Sequence, residues 1–159
     1  MSEIAILVDS TANLTPGSLY GVDLFVIPLN IHWGSDTLLD GVGISVHDFY
    51  SRLEKDPDIP KTSQPSMKAF LDKFNEIAES GKYEAILTLL ISSGISGTVD
   101  SALSAQQEFT GLPLEIVDSK TTTGGLALVV YEAARVISEG MTLTETVEYI
   151  QSVVEKMKT

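Results

Sequence analysis

Residues 83–109 read "YEAILTLLISSGISGTVDSALSAQQEF". The first part, Tyr83 to Ile91, is a short β-prone run that is apolar almost throughout. A run of this length, bounded by turn residues, reads as a strand buried on both faces. It passes into "SSGISGT", where Ser92, Ser93, Ser96 and Thr98 crowd around Gly94 and Gly97. A helix-like stretch follows to Phe109. Strand, tight turn and helix in this order make the βα half of a parallel unit.

The same alternation recurs on both sides. Glu3 to Val8 is a strand pattern ending at "DST" (Asp9, Ser10, Thr11), and "LPLEIVDS" is another, ending at Asp118 and Ser119. Thr122 to Ser138 reads as a largely apolar helix stopped by Gly140. The chain therefore specifies an α/β fold, a three-layer α/β/α sandwich with a mainly parallel sheet, Rossmann-like in class. Between the first and third strands the reading is looser. "NLTPGSLYG" is expected as a capped turn or short helix. Asp23 to Trp33, "DLFVIPLNIHW", is a second β segment that Pro28 must bulge, split or push to an edge. "GSDTLLDGVGIS" is expected as loop. Ser45 caps a helix with Val46, Phe49, Tyr50 and Leu53 on one face. "DPDIPKTSQPSMKAF" is expected as a proline-stiffened loop. Ser66 caps the next helix, whose stripe is Phe70, Phe74, Ile77 and Ala78, and Gly81 ends it. At the far end, Leu143, Val147, Ile150, Val154 and Met157 form a narrow stripe that suits core packing or, alternatively, the docking of another domain.

Composition bounds the function. The 159 residues contain no cysteine, which excludes disulfides, thiolate metal sites and cysteine nucleophiles. The net charge of −12 argues against nucleic acid, whose phosphates call for a basic face. "MSEIAILVDS" lacks a basic n-region, and no apolar run reaches the roughly 18 residues of a membrane span. A cytoplasmic protein is expected.

In open parallel sheets, ligands sit beyond the carboxyl ends of the strands. There the sequence places "DST", "SSGISGT" and "DSKTTTGG". Two helices begin at the same end, near Gly97 and Thr122, and their free N–H groups favour an anion. One hydroxyl suffices to cap a helix, and "SSGISGT" offers four. Catalytic patterns are incomplete. A nucleophile elbow needs G-x-S-x-G, but after Gly94-Ile95-Ser96 the second glycine comes one position early, at Gly97. His32 and His47, the two histidines, adjoin no hydroxyl-bearing motif in sequence. There is no G-x-x-x-x-G-K-[ST] phosphate loop. Asp9 stands where an aspartyl nucleophile would, with Thr11 in place of a second acid. Asp9 and Asp118 could share a metal, but strand-end acids more often accept turn N–H groups. Hydroxyls and helix N–H donors without a base suit a weakly hydrated monoanion such as a carboxylate. A small hydrolase or phosphotransferase using Ser96 or Asp9 remains the alternative.

Taken together, "ILVDSTANL", "VIPLNI", "LDGVGISVHDFYSRL", "PKTSQPSMKAF", "ISSGISGTVDSA" and "IVDSKTTTGG" resemble, in order, the motifs of the DegV family of bacterial fatty-acid-binding proteins. Val99 departs from the aromatic usual after Ser-Gly-Thr. The resemblance implies a long-chain (C14–C18) fatty acid held by its carboxylate, with Thr62 and Ser93 as its hydroxyl ligands. Ser63, Ser96 and Thr98 would support them. It further implies a non-catalytic carrier without a cofactor, which presents the acid to a separate ATP-using fatty acid kinase subunit. Family members carry a second α/β domain, and their ligand lies where the two meet. Residues 1–159 are expected to be the first domain alone.

Overall fold

The computed structural model describes residues 3–157. Five strands make the main sheet: β1 (Ile4–Asp9), β2 (Gly17–Leu19), β3 (Val22–Ile27), β7 (Ala85–Leu90) and β8 (Leu114–Asp118). Their order is β2-β3-β1-β7-β8. β1 pairs parallel with β3 and β7, β7 pairs parallel with β8, and only β2 runs antiparallel. Every residue of β1 and of β7 is buried, as continuous apolar runs in a two-sided sheet require.

Successive side chains of these strands serve opposite layers. Ile4, Ile6 and Val8 of β1 join Leu87 and Leu89 of β7 against α4 (Thr123–Ser138) and α5 (Leu143–Lys156). Ala5 and Leu7 join Ile86 and Leu90 against α2 (Met67–Glu79) and α3 (Thr98–Glu108). The α/β/α sandwich is therefore as expected. The caps are built as read: the Ala69 N–H donates to Ser66 Oγ at 3.1 Å, opening α2. Phe70, Phe74 and Ile77 are buried on α2, and Gly81 takes a left-handed φ of 66° just beyond it.

Between residues 17 and 63 the structure departs from the sequence reading at Gly17–Leu19, Asp36–Leu39 and Lys61–Ser63. Gly17–Leu19 is a strand, joined to β3 through Tyr20 and Gly21 at φ of 52° and 81°. Two consecutive left-handed residues make the tight hairpin turn that matches strand twist. Pro28 splits the Asp23–Trp33 segment: β3 stays in the main sheet, and β4 (Asn30–Trp33) starts a second one. β4 is flanked by β5 (Asp36–Leu39) and β6 (Lys61–Ser63), both expected as loop. These strands are short and largely exposed, so they carry no apolar alternation to read. Between them lies α1 (Val46–Leu53), capped by Ser45 but with no fully buried residue. Val46 and Tyr50 are 68% and 60% exposed.

The α5 stripe is core. Ile150 and Val154 are buried in the α4 layer, and Leu143, Val147 and Met157 pack partly buried against it. Ile150→Ala should lower unfolding free energy by about 2–5 kcal/mol, the range for large-to-small core changes. Urea denaturation measures this, and a change below ~1 kcal/mol would return the stripe to a docking role.

Candidate functional site

From β1 the chain turns to β3 on one side and later returns to β7 on the other. The crevice at such a switch point opens at the carboxyl ends of the two strands. Here it is roofed by the small sheet and α1. A cavity of about 470 Å³ lies between roof and rim. Leu29, Ile31, Ile44, Val46, Phe49, Tyr50, Ile91 and Ile95 form its apolar surface. Thr11, Asn13, Ser45, Thr62, Ser63, Gln64 and Ser96 supply polar groups. Asp40 is the single charged side chain in the lining.

Three of the five expected site residues meet in this cavity: Thr62 and Ser63 from β6, and Ser96 from the loop after β7. Gly97, also in the lining, lets the two loops touch. A Cβ there would stand 2.9 Å from Gln64 Nε2, so a side chain at 97 would displace the Gln64 amide. Ser93 and Thr98 are placed differently. Ser93 Oγ donates to Asp118 Oδ2 at 2.5 Å, and the Ser93 N–H donates to Oδ1 at 3.2 Å. Ser93 is exposed on the loop between two cavity residues, Ile91 and Ile95. Thr98 is buried at the start of α3 and shares a 2.8 Å hydrogen bond with Ser96 Oγ. It thus orients Ser96 from behind. The start of α4, also expected at the site, contributes nothing to the cavity lining. Lys120 and Thr123 lead into it with left-handed φ values of 53° and 48°, unfavourable for a β-branched residue such as Thr123.

Asp9 is wholly buried, and its carboxylate is occupied. Oδ2 accepts the Ile91 N–H at 2.6 Å, and Oδ1 accepts the Thr11 N–H at 3.0 Å and the Thr11 hydroxyl at 2.6 Å. It therefore ties the end of β1 to the end of β7. Loss of solvation raises its pKa above the ordinary 3.8, outweighing the hydrogen bonds that lower it. With both oxygens engaged, Asp9 presents no open face for attack on a substrate.

One contact escaped the sequence reading. His32 Nε2 lies 2.8 Å from Ser63 Oγ, and His32 Nδ1 lies 3.1 Å from Thr37 Oγ1. The pairing of β4 with both β5 and β6 makes these contacts. No local signal links positions 32 and 63; only the β6 pairing does. Trp33, on the same strand, is fully buried with its ring 5.2 Å from that of Phe49, a cavity residue. Arg52 stacks over Trp33 at 4.6 Å and pairs with Asp36 and Asp56, closing the roof from outside.

Known proteins share this architecture. Residues 3–159 match the family described as "Uncharacterised protein, DegV family". The chain belongs to the DegV family. A DegV domain-containing protein of Clostridium perfringens is 35% identical over 91% of this chain and 51% of its own length. One from Deinococcus radiodurans is 35% identical over 94% of this chain and 52% of its own. The chain thus spans about half the length of the curated relatives it matches. Among solved structures, a Thermotoga maritima protein described as having a fatty acid binding function superposes with a TM-score of 0.86 at 28% identity. That match covers 98% of this chain and 56% of the other. A stearic acid-binding protein from Eubacterium ventriosum superposes at 0.82 with 27% identity, covering 95% of this chain and 52% of its own.

Asp9→Ala leaves the buried Ile91 N–H unpaired and should cost about 1–3 kcal/mol of stability. The pH dependence follows from the raised pKa. The folded state holds the Asp9 proton more tightly than the unfolded chain does. Its contribution is full below pH 3.8 and is lost as pH rises through the raised native value. Asp9→Asn should therefore flatten that part of the stability–pH curve in urea titrations.

Proposed function

We propose that this chain binds a long-chain fatty acid, with the acyl chain in the cavity and the carboxylate among the hydroxyls at its rim. Thr62 and Ser93 are its direct ligands, and Ser63, Ser96 and Thr98 shape and polarise the site. The observation that carries this reading is the cavity itself. Its apolar wall of Ile, Leu and aromatic side chains meets Thr62, Ser63 and Ser96 without any basic group in the lining. Such a lining suits a hydrocarbon with one weakly hydrated polar end. The relatives described as binding fatty acid or stearic acid support it. We take the chain to act as the first of the family's two domains, as a non-catalytic cytoplasmic carrier. The DegV resemblance supports a role in presenting the carboxylate to a separate ATP-using kinase subunit.

A second reading, a small hydrolase, draws on the 2.8 Å contact of Ser63 with His32. The position of a triad acid is held by the Thr37 hydroxyl, so the triad is incomplete. Ester turnover abolished by Ser63→Ala would favour this reading over the carrier.

Mass spectrometry of an organic extract of the purified protein should find a C14–C18 acid in near-stoichiometric amount. Added palmitate should change the fluorescence of Trp33, the single tryptophan, through Phe49. No copurifying acid and no binding on addition would overturn the reading. Thr62→Ala and Ser93→Ala should each weaken binding by about 1–3 kcal/mol, and unchanged affinity in both would remove them from the site.

A further inference from the structure

The hydroxyl proton of Ser93 is already in use. A serine hydroxyl has one proton to donate and lone pairs to accept with. Ser93 Oγ gives that proton to Asp118 Oδ2 at 2.5 Å. Asp118 is held in place as an acceptor, since its Oδ1 also takes the N–H groups of Ser93 at 3.2 Å and Lys120 at 2.9 Å. The face that Ser93 turns to a ligand is therefore made of lone pairs. A carboxylate arriving there as an anion meets no proton from Ser93 in this arrangement, and a second carboxylate stands one hydroxyl away, about 5 Å off.

Building on the fatty-acid reading above, we propose that Asp118 is a positioning residue that makes carboxylate binding proton-coupled at Ser93. The bound state holds one proton more than the free protein and the free anion together. That proton lies on the ligand carboxyl, which donates to Ser93 Oγ while Ser93 donates to Asp118, or it lies on Asp118, which leaves Ser93 free to donate to the ligand. Either arrangement gives every oxygen along the line a partner, and no covalent bond is made or broken. The surrounding charges are few. Lys120 follows Asp118 in the chain, and Glu155 on α5 lies across a shallow groove that both border. Asp40 is the charged side chain of the cavity lining, Asp9 is engaged with Ile91 and Thr11, and His32 is engaged with Ser63.

Titration calorimetry of laurate in buffers of different ionisation enthalpy, at about pH 7.5 and above most of the histidine range, tests this. The unaltered chain should take up about one proton per laurate, and its affinity should fall by up to tenfold per pH unit above neutrality. In Asp118→Asn, the amide can donate to Ser93 Oγ and release the serine proton toward the ligand. That variant should bind laurate with no proton uptake and with a flat affinity from about pH 7 to 8.5. Far-ultraviolet circular dichroism establishes that it folds, and His32→Gln, which should keep the uptake, separates the imidazole's contribution. Laurate binding without proton uptake, or equal uptake in Asp118→Asn, overturns the coupling and leaves the fatty-acid reading standing. No binding of either laurate or palmitate by the unaltered chain overturns both.

Discussion

The buried Asp9–Ile91 hydrogen bond, 2.6 Å long, joins the carboxyl ends of the two central strands. The rest of the site is arranged around it. β1 and β7 are neighbours because both are continuously apolar and can lie only in the middle of a covered sheet. Where they end, their backbones diverge, one toward Thr11 and the other toward Ser96. A carboxylate spanning that divergence fixes the width of the crevice. Burial makes the group costly to ionise, yet its three donors leave it no freedom to move.

The second constraint is Pro28. Without an N–H it cannot continue the β3 ladder, and the chain lifts out of the main sheet there. The Leu29 N–H is taken by Ser10 Oγ at 3.0 Å, which anchors the departure to the turn after β1. The segment that lifts away returns as β6 and brings Thr62, Ser63 and Gln64 over the rim. The cavity is thus closed by a small antiparallel sheet whose outer strands are largely exposed, with α1 laid across it. The exposed side chains of α1, Val46 and Tyr50, belong to this roof. Their poor burial reflects that they border a cavity and solvent instead of the core.

The polar groups of the site are mostly paired with one another already. Ser96 pairs with Thr98, Ser63 with His32, and Ser93 with Asp118. Each pair gives a hydroxyl a partner, and for Ser93 the partner is a carboxylate that can only accept. What the site offers an anion is therefore decided by the partner behind each hydroxyl more than by the hydroxyl itself. Reorganising the part-buried Ser96–Thr98 pair costs a hydrogen bond sheltered from water, whereas the Ser63–His32 and Ser93–Asp118 pairs are exposed.

The sequence alone determined the central architecture. The runs at residues 4–8, 85–91 and 114–118, each followed by hydroxyls and a helical pattern, left one reading: a parallel sheet with its site at the carboxyl ends. Caps at Ser45 and Ser66 and the buried stripes of α2 and α5 were equally legible, because such signals lie within one turn or one helical period. "SSGISGT" marked the rim by its place at a strand end, and "TSQPS" by family resemblance. Only the tertiary structure decided which residues of those motifs face the cavity. Ser93 shares a loop with Ser96 and Thr98 opens α3 just after it, yet Asp118 and the α3 core claim their side chains. The small sheet was invisible beforehand because β5 and β6 are three or four residues long and mostly exposed, so pairing with β4 defines them and local pattern does not. The His32–Ser63 contact follows from that pairing: it spans 31 positions and leaves no periodic trace in the chain.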